Sequence, residues 1–409
     1  IKFEDLKLKE TISDILVDKY KSASDIIFKR LIEIKDDVRF VSKGIISKTL
    51  IKLGTQFPEE IIPKLTKSLN SPNIEIMQNS IVSLDGLIEH YPQKIDLKPV
   101  ILILNQPIEI TLKKEASQLI AKASKLTSKS VEPILPELIN SLSNQDITVL
   151  NILLRAILEL VKKDPSLISA KNVTGLLDYR DSLIQETVIK ILGYIGKLDS
   201  SYTANILLDK ALNNEDWIVR NAAVLSLGSI IKFIEDDKPL IEKLILVLDD
   251  ENSWVQKSTM NILSALTNIN PSHIPLEKII KLIRNKDSKV REGCAQLLKI
   301  HIDKDLEQTF EYFIILLGDA IKEVRVTTID IMVDVIQKIG IMKLFSKLLK
   351  NLSDEVSLET QQSVAIILGR TLRYGDESIK KRAISLLKIR CEVSQDPIIC
   401  ENLTKLRES

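Results

Sequence analysis

Short apolar-periodic runs separated by polar turns recur along this chain at an even interval. In Ile184, Val188, Ile189, Ile191, Leu192 and Ile195 the apolar residues return every three or four positions, the spacing of one face of an α-helix. Val290, Cys294, Ala295, Leu297 and Leu298 repeat those offsets. Each run opens on a similar turn. Asp216-Trp-Ile-Val-Arg-Asn-Ala-Ala223 and Asp287-Ser-Lys-Val-Arg-Glu-Gly-Cys-Ala295 both set an acidic residue three positions before Val, with Arg next and a small residue after it. With the Val slot as anchor, ten positions fall into register: Val38, Ile76, Leu112, Val149, Ile184, Val219, Val255, Val290, Val324 and Thr360, at intervals of 34 to 38 residues. Such a period marks a tandem array.

The chemistry around the anchor predicts the unit. Asn73, Glu109, Asp146, Asp181, Asp216, Asn252 and Asp287 stand three residues before it, and their side-chain oxygens are suited to cap the free N–H groups of a helix start. Pro58, Pro92, Pro133, Pro165, Pro239, Pro271 and Pro275 fall between helices or open the next one, where a missing N–H costs nothing. Pro72 and Pro107 fall in the short turn before the second helix. Each unit therefore reads as two antiparallel helices, the second beginning near the anchor. One pair cannot bury both its apolar faces, so neighbours must stack on a shared core. The expected organisation is N-terminal capping helices over 1–34, the repeat array over 35–373, and capping helices with a soluble tail over 374–409.

Composition narrows the function classes. Hydrophobic residues make up 44% of the 409, yet aromatics only 4%, with 12 Gly and 13 Pro, as a chain of many similar helices requires. Lys+Arg 57 against Asp+Glu 56 leaves +1, so no bulk charge drives the chain onto nucleic acid or anionic lipid. Cys294, Cys391 and Cys400 are odd in number and scattered, and no His lies near the last two, so free thiols are expected and no zinc site or other metal centre. Ser258 to Leu276 is uncharged for nineteen residues but holds Asn268, Asn270, Pro271, His273 and Pro275, which makes it a helix followed by a turn. The chain begins at Ile1 without a basic-then-apolar leader and reads as soluble and intracellular, with a cytoplasmic location.

The Asp-x-x-Val-Arg-x-x-Ala core of Asp216–Ala223, its echoes at Asp287–Arg291 and Glu323–Arg325, and Leu-Gly near the second-helix end (Leu192-Gly193, Leu227-Gly228, Leu368-Gly369) resemble HEAT repeats over roughly residues 35–373. The resemblance implies an all-α, right-handed α-α superhelical solenoid of about ten helix pairs. The Arg slot departs from the pattern at Met77, Leu150, Gln185, Gln256 and Gln361, which weakens an expected Arg–Asp ladder between repeats. HEAT proteins resemble one another as scaffolds of phosphatases, transport receptors, vesicle-coat adaptors and chromosome complexes. The function implied is a non-enzymatic scaffold or adaptor for protein partners, with no cofactor. A vesicle-coat-like trunk is one specialisation.

Enzymatic relatives of this architecture supply the competing reading. Di-iron hydroxylases of HEAT type rest on His-Glu pairs, whereas each His here precedes Tyr or Ile. HEAT-like DNA glycosylases use aromatic side chains in a basic groove. Only Trp217 beside Asp216, and Trp254 one repeat later, evoke them, and both are expected to cover the turn between repeats. Gly193-Tyr-Ile-Gly196 lies inside a helical pattern and is expected to ease helix packing rather than cradle phosphate.

In HEAT proteins the second helix lines the concave side. Positions about two, six and ten past the anchor share one helical stripe. Gln78, Lys114, Asn151, Glu186, Asn221, Lys257 and Glu292 occupy the first row. Gln118, Arg155, Lys190, Ser226, Asn261, Gln296 and Asp330 occupy the second, flanked by Gly44, Val82 and Ile366. Lys48, Lys114, Lys122, Arg155 and Lys190 outnumber Glu159 and Glu186 in the first half of the stripe. Lys114, Gln118, Lys122, Arg155, Lys190, Asn221 and Asn261 are therefore the expected partner-binding residues, for an acidic or phosphorylated protein segment, with nucleic acid not expected. Lys380, Lys381 and Arg382, within a basic run from Arg370 to Arg390, are a candidate contact for an anion.

Overall fold

The structure is a computed structural model that describes residues 3–22, 24–33, 45–266, 274–353, 355–372 and 376–408; residues 3–9, 45 and 144 are described by backbone alone. The anchor Val38, with Phe40, Gly44, Asn268, Asn270, Pro271, His273 and Arg373, lies outside them. The described residues form 22 α-helices and no strand. They fall into two compact units, Ile1–Phe233 and Ile234–Ser409.

In the first unit α1 (Phe3–Tyr20) and α2 (Ser24–Glu33) precede α3 (Ile45–Gln56). Pairs follow: α4 (Pro58–Ser68) with α5 (Ile74–Leu87), α6 (Lys98–Leu104) with α7 (Ile110–Leu126), and α8 (Leu135–Ser141) with α9 (Ile147–Lys163). Next come α10 (Ser182–Ile195) and the pair α11 (Ser200–Lys210) and α12 (Trp217–Ile230). The second helices form one layer, in which α1, α3, α5, α7, α9, α10 and α12 each pack on the next. In the second unit α13 (Lys238–Val247) pairs with α14 (Ser253–Leu266), α15 (Leu276–Leu282) with α16 (Ser288–His301), and α17 (Leu306–Leu317) with α18 (Lys322–Ile339). Then α19 (Phe345–Lys350) pairs with α20 (Leu358–Thr371), and α21 (Glu377–Ser394) with α22 (Pro397–Glu408). Here α14, α16, α18, α20 and α22 pack in sequence. The anchors from Leu112 to Val324 are buried between the layers, as are Leu84, Leu119, Leu153, Val188 and Leu263. Burying each such side chain contributes about 1.5–3 kcal/mol.

Six of the seven expected caps form. Asn73, Asp146, Asp216, Asn252 and Asp287 accept from the N–H two residues on, and Asp181 accepts from Ile184 N–H. Glu109 does not cap; its longer side chain overshoots the N–H groups and accepts from the Thr111 hydroxyl at 3.4 Å. Of the prolines expected between helices or at a helix start, Pro58 and Pro239 sit in the first turns of α4 and α13, and Pro92 lies between α5 and α6.

The position after the anchor has a use that sequence similarity obscured. Arg220, Arg291 and Arg325 each donate to two carbonyls of the turn that precedes their own helix. Gln185 and Gln256 reach back through Nε2 to one carbonyl each, Leu177 and Leu248, and Gln361 to two, Ser353 and Val356. The glutamines also extend the ladder between repeats, since Asn214 donates to Gln185 Oε1 and Asn285 to Gln256 Oε1. Arg291 completes it with a two-pronged pair to Asp319 at 2.6 and 2.8 Å. A Gln in the slot therefore keeps the tie rather than weakening it. At Met77 and Leu150 the slot is apolar and buried.

Other expectations need correction. The fifth unit lacks a first α-helix; three 3-10 turns, Pro165–Leu167, Ala170–Asn172 and Thr174–Asp178, replace it. Asp164 caps Ser166, and Ser169 with Asn172 forms a capping box, so side chains take backbone donors that a continuous helix would need. The segment after residue 374 does not end in a tail: α22 runs to Glu408 and packs on α20 as a further second helix. Its start, Asp396-Pro-Ile-Ile399, is the same acidic-x-x-apolar signal, with Asp396 capping Ile398 and Ile399 and with Ile399 buried. Cys391 and Cys400 are not free thiols. Gln395, at φ 49°, turns α22 back on α21, and the two cysteines, with Cα atoms 5.0 Å apart, form a disulfide. Cys294 is buried and free. Gly193 sits where a Cβ would come within 2.8 Å of Ser226 Oγ, which lets α10 and α12 approach, while at Gly196 a Cβ would come within 2.8 Å of Thr203 on α11.

The Arg291–Asp319 pair is nearly out of water, with side chains 14% and 8% exposed. Burial works to raise the Asp319 carboxyl, but the Arg291 hydrogen bonds and the Ile321 N–H hold it below its usual range. Replacing Arg291 by Ala strands that carboxylate at a cost of about 3 kcal/mol. Thermal unfolding should show this loss, while Lys338→Ala, which breaks an exposed pair with Asp303, stays within about 0.5 kcal/mol. Because the folded carboxyl is the stronger acid, the stabilisation is present above about pH 4 and is lost as pH falls through the folded value. Equal losses in the two variants would show that the ladder is not what ties these repeats.

Candidate functional site

All second helices of the first unit run the same way, so residues at equal distance from each anchor form rows across their exposed face. The expected first row is Gln78, Lys114, Asn151, Glu186 and Asn221 on α5, α7, α9, α10 and α12. Lys114 is exposed; the others are half-buried. Gln78 donates to Glu115 on the next helix at 3.2 Å. The Oδ1 atoms of Asn151 and Asn221 are shielded from water and accept no hydrogen bond. An orphaned acceptor costs about 1–3 kcal/mol.

The second row needs one correction. Ser226 stands seven positions past its anchor and is buried, bonding Ile189 carbonyl at 3.0 Å; the outward residue of α12 is Leu225, 52% exposed. The row is thus Val82, Gln118, Arg155, Lys190 and Leu225, polar only at its centre.

Intramolecular pairing removes most of the expected positive field. Lys48 pairs with Glu10 at 2.7 Å, Lys190 with Glu186 at 2.6 Å, and Lys122 with both Asp85 and Glu89 at 3.2 Å. Among the described residues, Lys114 and Arg155 are the stripe cations of this unit that take part in no ion pair. They and Gln118 present their ends to solvent on neighbouring helices α7 and α9. Asn261 is exposed on α14 and belongs to the second unit.

The C-terminal cluster does not converge. Lys380 is 8% exposed, its Nζ 4.0 Å from Glu377, while Lys381 and Arg382 point to solvent beside it on α21. Both tryptophans are exposed at the start of their helices. Trp217 is 39% exposed, and Trp254 is 60% exposed beneath the Lys257 ammonium, 5.4 Å from the ring centroid.

Chemistry other than binding finds no assembled site among the described residues. No group of three His, Cys, Asp or Glu is placed to hold a metal, and no helix is long and apolar enough to cross a membrane. Where the 3-10 turns replace a helix, a cleft of about 280 Å³ opens between Ser166, Ile168, Lys171, Leu198, Asp199 and Tyr202; the Ser166 hydroxyl there donates to Asp164, the residue that caps the turn, at 2.6 Å. The tightest knot of titratable groups, Lys64 with Asp25 at 2.7 Å, Glu60 at 2.8 Å and Tyr20, ties α1 and α2 to α4; burial and the Glu60 bond push the Tyr20 phenol up to about 12.

The geometry defines a HEAT/armadillo-type helical-repeat solenoid. Among solved structures the chain is similar to the karyopherin Kap121p bound to the extreme C-terminus of the protein phosphatase Cdc14p, with a TM-score of 0.57 at 15% identity, over 97% of this chain and 49% of that one. It is similar to Kap121p bound to Pho4p at 0.57 and 12%, over 94% and 46%. A designed armadillo repeat protein in complex with the peptide (KR)4 aligns with 50% of this chain and 98% of its own, at 18% identity and a TM-score of 0.41. The chain thus spans about half the length of the karyopherin. No protein-family profile matches it, and no curated protein matches it in sequence.

His301 gives a titration test of the second unit. Burial, then the Lys304 charge, lowers its pKa against the hydrogen bond to the Ile274 backbone, and its Nε2 has no partner. The folded state holds the neutral ring, so stability is full above about pH 6.5 and falls as pH drops toward the folded value. Chemical denaturation at pH 7 and pH 5 should show this loss, and His301→Leu should flatten it. An unchanged slope in the variant would assign the acid sensitivity elsewhere.

Proposed function

We propose that the chain is a non-enzymatic scaffold whose first unit holds an extended segment of a protein partner across the exposed face of its second helices, the concave side in HEAT architecture. The observation that carries this reading is the unengaged polarity of neighbouring helices: Lys114, Gln118 and Arg155 reach solvent without an intramolecular ion pair, beside the orphaned amides of Asn151 and Asn221. Amide side chains also carry N–H donors, which suit the exposed carbonyls of an extended segment. Arg155 supplies a planar fork for one carboxylate or phosphate, and Lys114 a point charge for another. With the remaining stripe cations paired internally, the face lacks the sustained positive field that a nucleic-acid backbone requires. Solved structures of similar fold carry a protein tail in one case and Pho4p in another, which supports a protein partner here.

The test is affinity capture from nuclease-treated lysate with the wild type beside Lys114→Glu/Arg155→Glu. Both residues are exposed and unpaired, so the double variant should keep its melting temperature within about 2 °C. A protein retained by wild type and reduced at least tenfold by the variant is the expected result. Equal retention moves the site off this face, and captured material that vanishes with nuclease replaces a protein partner with nucleic acid.

A further inference from the structure

One turn before the polar first row, the same face of the first unit becomes apolar. Ile74, Ile110, Ile147 and Trp217 each open their helix, and Leu183 is the second residue of α10. These five lie on five consecutive second helices that pack side by side and point the same way, so they stand at one common edge. Each keeps 39–50% of its surface exposed. Four of them lie four residues before Gln78, Lys114, Asn151 and Asn221, which puts the apolar row directly beside the polar one. Scattered apolar residues on a surface need no explanation, but one per repeat over five repeats, four of them two positions before the anchor and Leu183 one position before it, is a patterned ridge.

The turns beside the ridge carry the opposite chemistry. Glu109, Asp146, Asp181, Glu215 and Asp216 lie within three residues of a ridge side chain, against Arg180 as the one cation in those turns. The ridge is therefore bordered by carboxylates on the turn side and by Lys114, Asn151 and Asn221 on the helix-face side.

We propose that this ridge binds a polyproline-II segment of a protein partner with an apolar residue at every third position and basic residues facing the turns. The proposal rests on the reading that this face takes an extended segment, and it specifies that segment. Neighbouring packed helices stand about 8–10 Å apart. A polyproline-II chain turns once in three residues and rises about 9 Å in doing so, so residues i, i+3 and i+6 present one side at the spacing of the ridge. A β-strand fails the match, because residues three apart point to opposite faces. The remaining two residues of each triplet lean outward, one toward the acidic turns and one toward the polar row. Five contacts call for a segment of about 13 residues. Polyproline-II backbone has no internal hydrogen bonds, which leaves its carbonyls free for the amide N–H donors of the first row.

Fluorescence anisotropy of the full chain with labelled 15-residue peptides tests this. The probes are (Leu-Pro-Lys)5, a peptide of the same composition with its leucines in adjacent pairs, and (Leu-Pro-Glu)5. The expected result is binding of the first at least tenfold tighter than of either control. It should weaken at least tenfold in Ile110→Ser/Ile147→Ser/Leu183→Ser, a variant whose circular-dichroism melt verifies folding, and return in Ile110→Leu/Ile147→Leu. Equal affinity for the two isomeric peptides overturns the every-third spacing, and equal affinity for the glutamate peptide overturns the basic flank. An unchanged affinity in the folded serine variant overturns the ridge itself. Loss in the serine variant with full binding by Lys114→Glu/Arg155→Glu supports the ridge while removing the polar row. The reverse pattern keeps the polar row and removes the ridge.

Discussion

From α10 to α20 the repeats hang on one side chain each, the residue that follows the buried anchor, while at α5 and α9 that slot is the buried Met77 and Leu150. Arg or Gln there reaches back to the carbonyls that close the preceding turn. Those carbonyls end a first helix and would otherwise face the junction of two helices without a donor, an unmet demand of the kind that buried backbone groups rarely tolerate. Satisfying them fixes the angle at which the second helix leaves the turn. The acidic cap three residues earlier fixes where it begins. Where both are present they place a second helix in the same register as its neighbour, and the rows on the exposed face, polar or apolar, follow the register of the helices.

This constraint explains what could be read from sequence and what could not. The caps were legible because Asp and Asn at a helix start have one dominant use, and Asp216 and Asp287 meet it. The tie was half legible. An Arg–Asp ladder is a chemical pair that sequence similarity advertises, whereas Gln185 and Gln256 perform the same reach with a neutral amide, and their partners Asn214 and Asn285 carry no recognisable charge complementarity. The eleventh pair was signalled by Asp396-Pro-Ile-Ile399 and hidden by the Cys400 that follows in place of Arg. The missing first helix after Asp164 was less legible, since helix and 3-10 turns there share the same apolar positions. Local capping by Asp164 and Ser169 decides between them.

The candidate site was legible as a face and not as a field. Helical spacing identifies which residues share a stripe, and Lys114, Gln118 and Arg155 are where that spacing puts them. Whether a charge is free depends on neighbours one repeat away, as Lys48 with Glu10 and Lys122 with Asp85 and Glu89 demonstrate. A one-residue shift likewise exchanges an exposed Leu225 for a buried Ser226 on α12, because adjacent helical positions lie about 100° apart.

A repeat scaffold can be specific without any single strong contact, and the composition of this face is consistent with that economy. Each half-exposed ridge residue or free amide offers a modest gain, of order 1 kcal/mol or less once the cost of ordering a partner is counted. Joined at a fixed interval, the contacts act on one chain, so the second and later ones form at high effective concentration. The partner must then match the interval more than any individual pocket. A spacing error of one residue in the segment costs several contacts at once, while a single conservative replacement costs one. Selectivity in such a surface resides in the register of the second helices, which the Gln185 and Arg220 ties enforce at α10 and α12. The residues that bind and the residues that hold the fold are thus coupled through the turn between them.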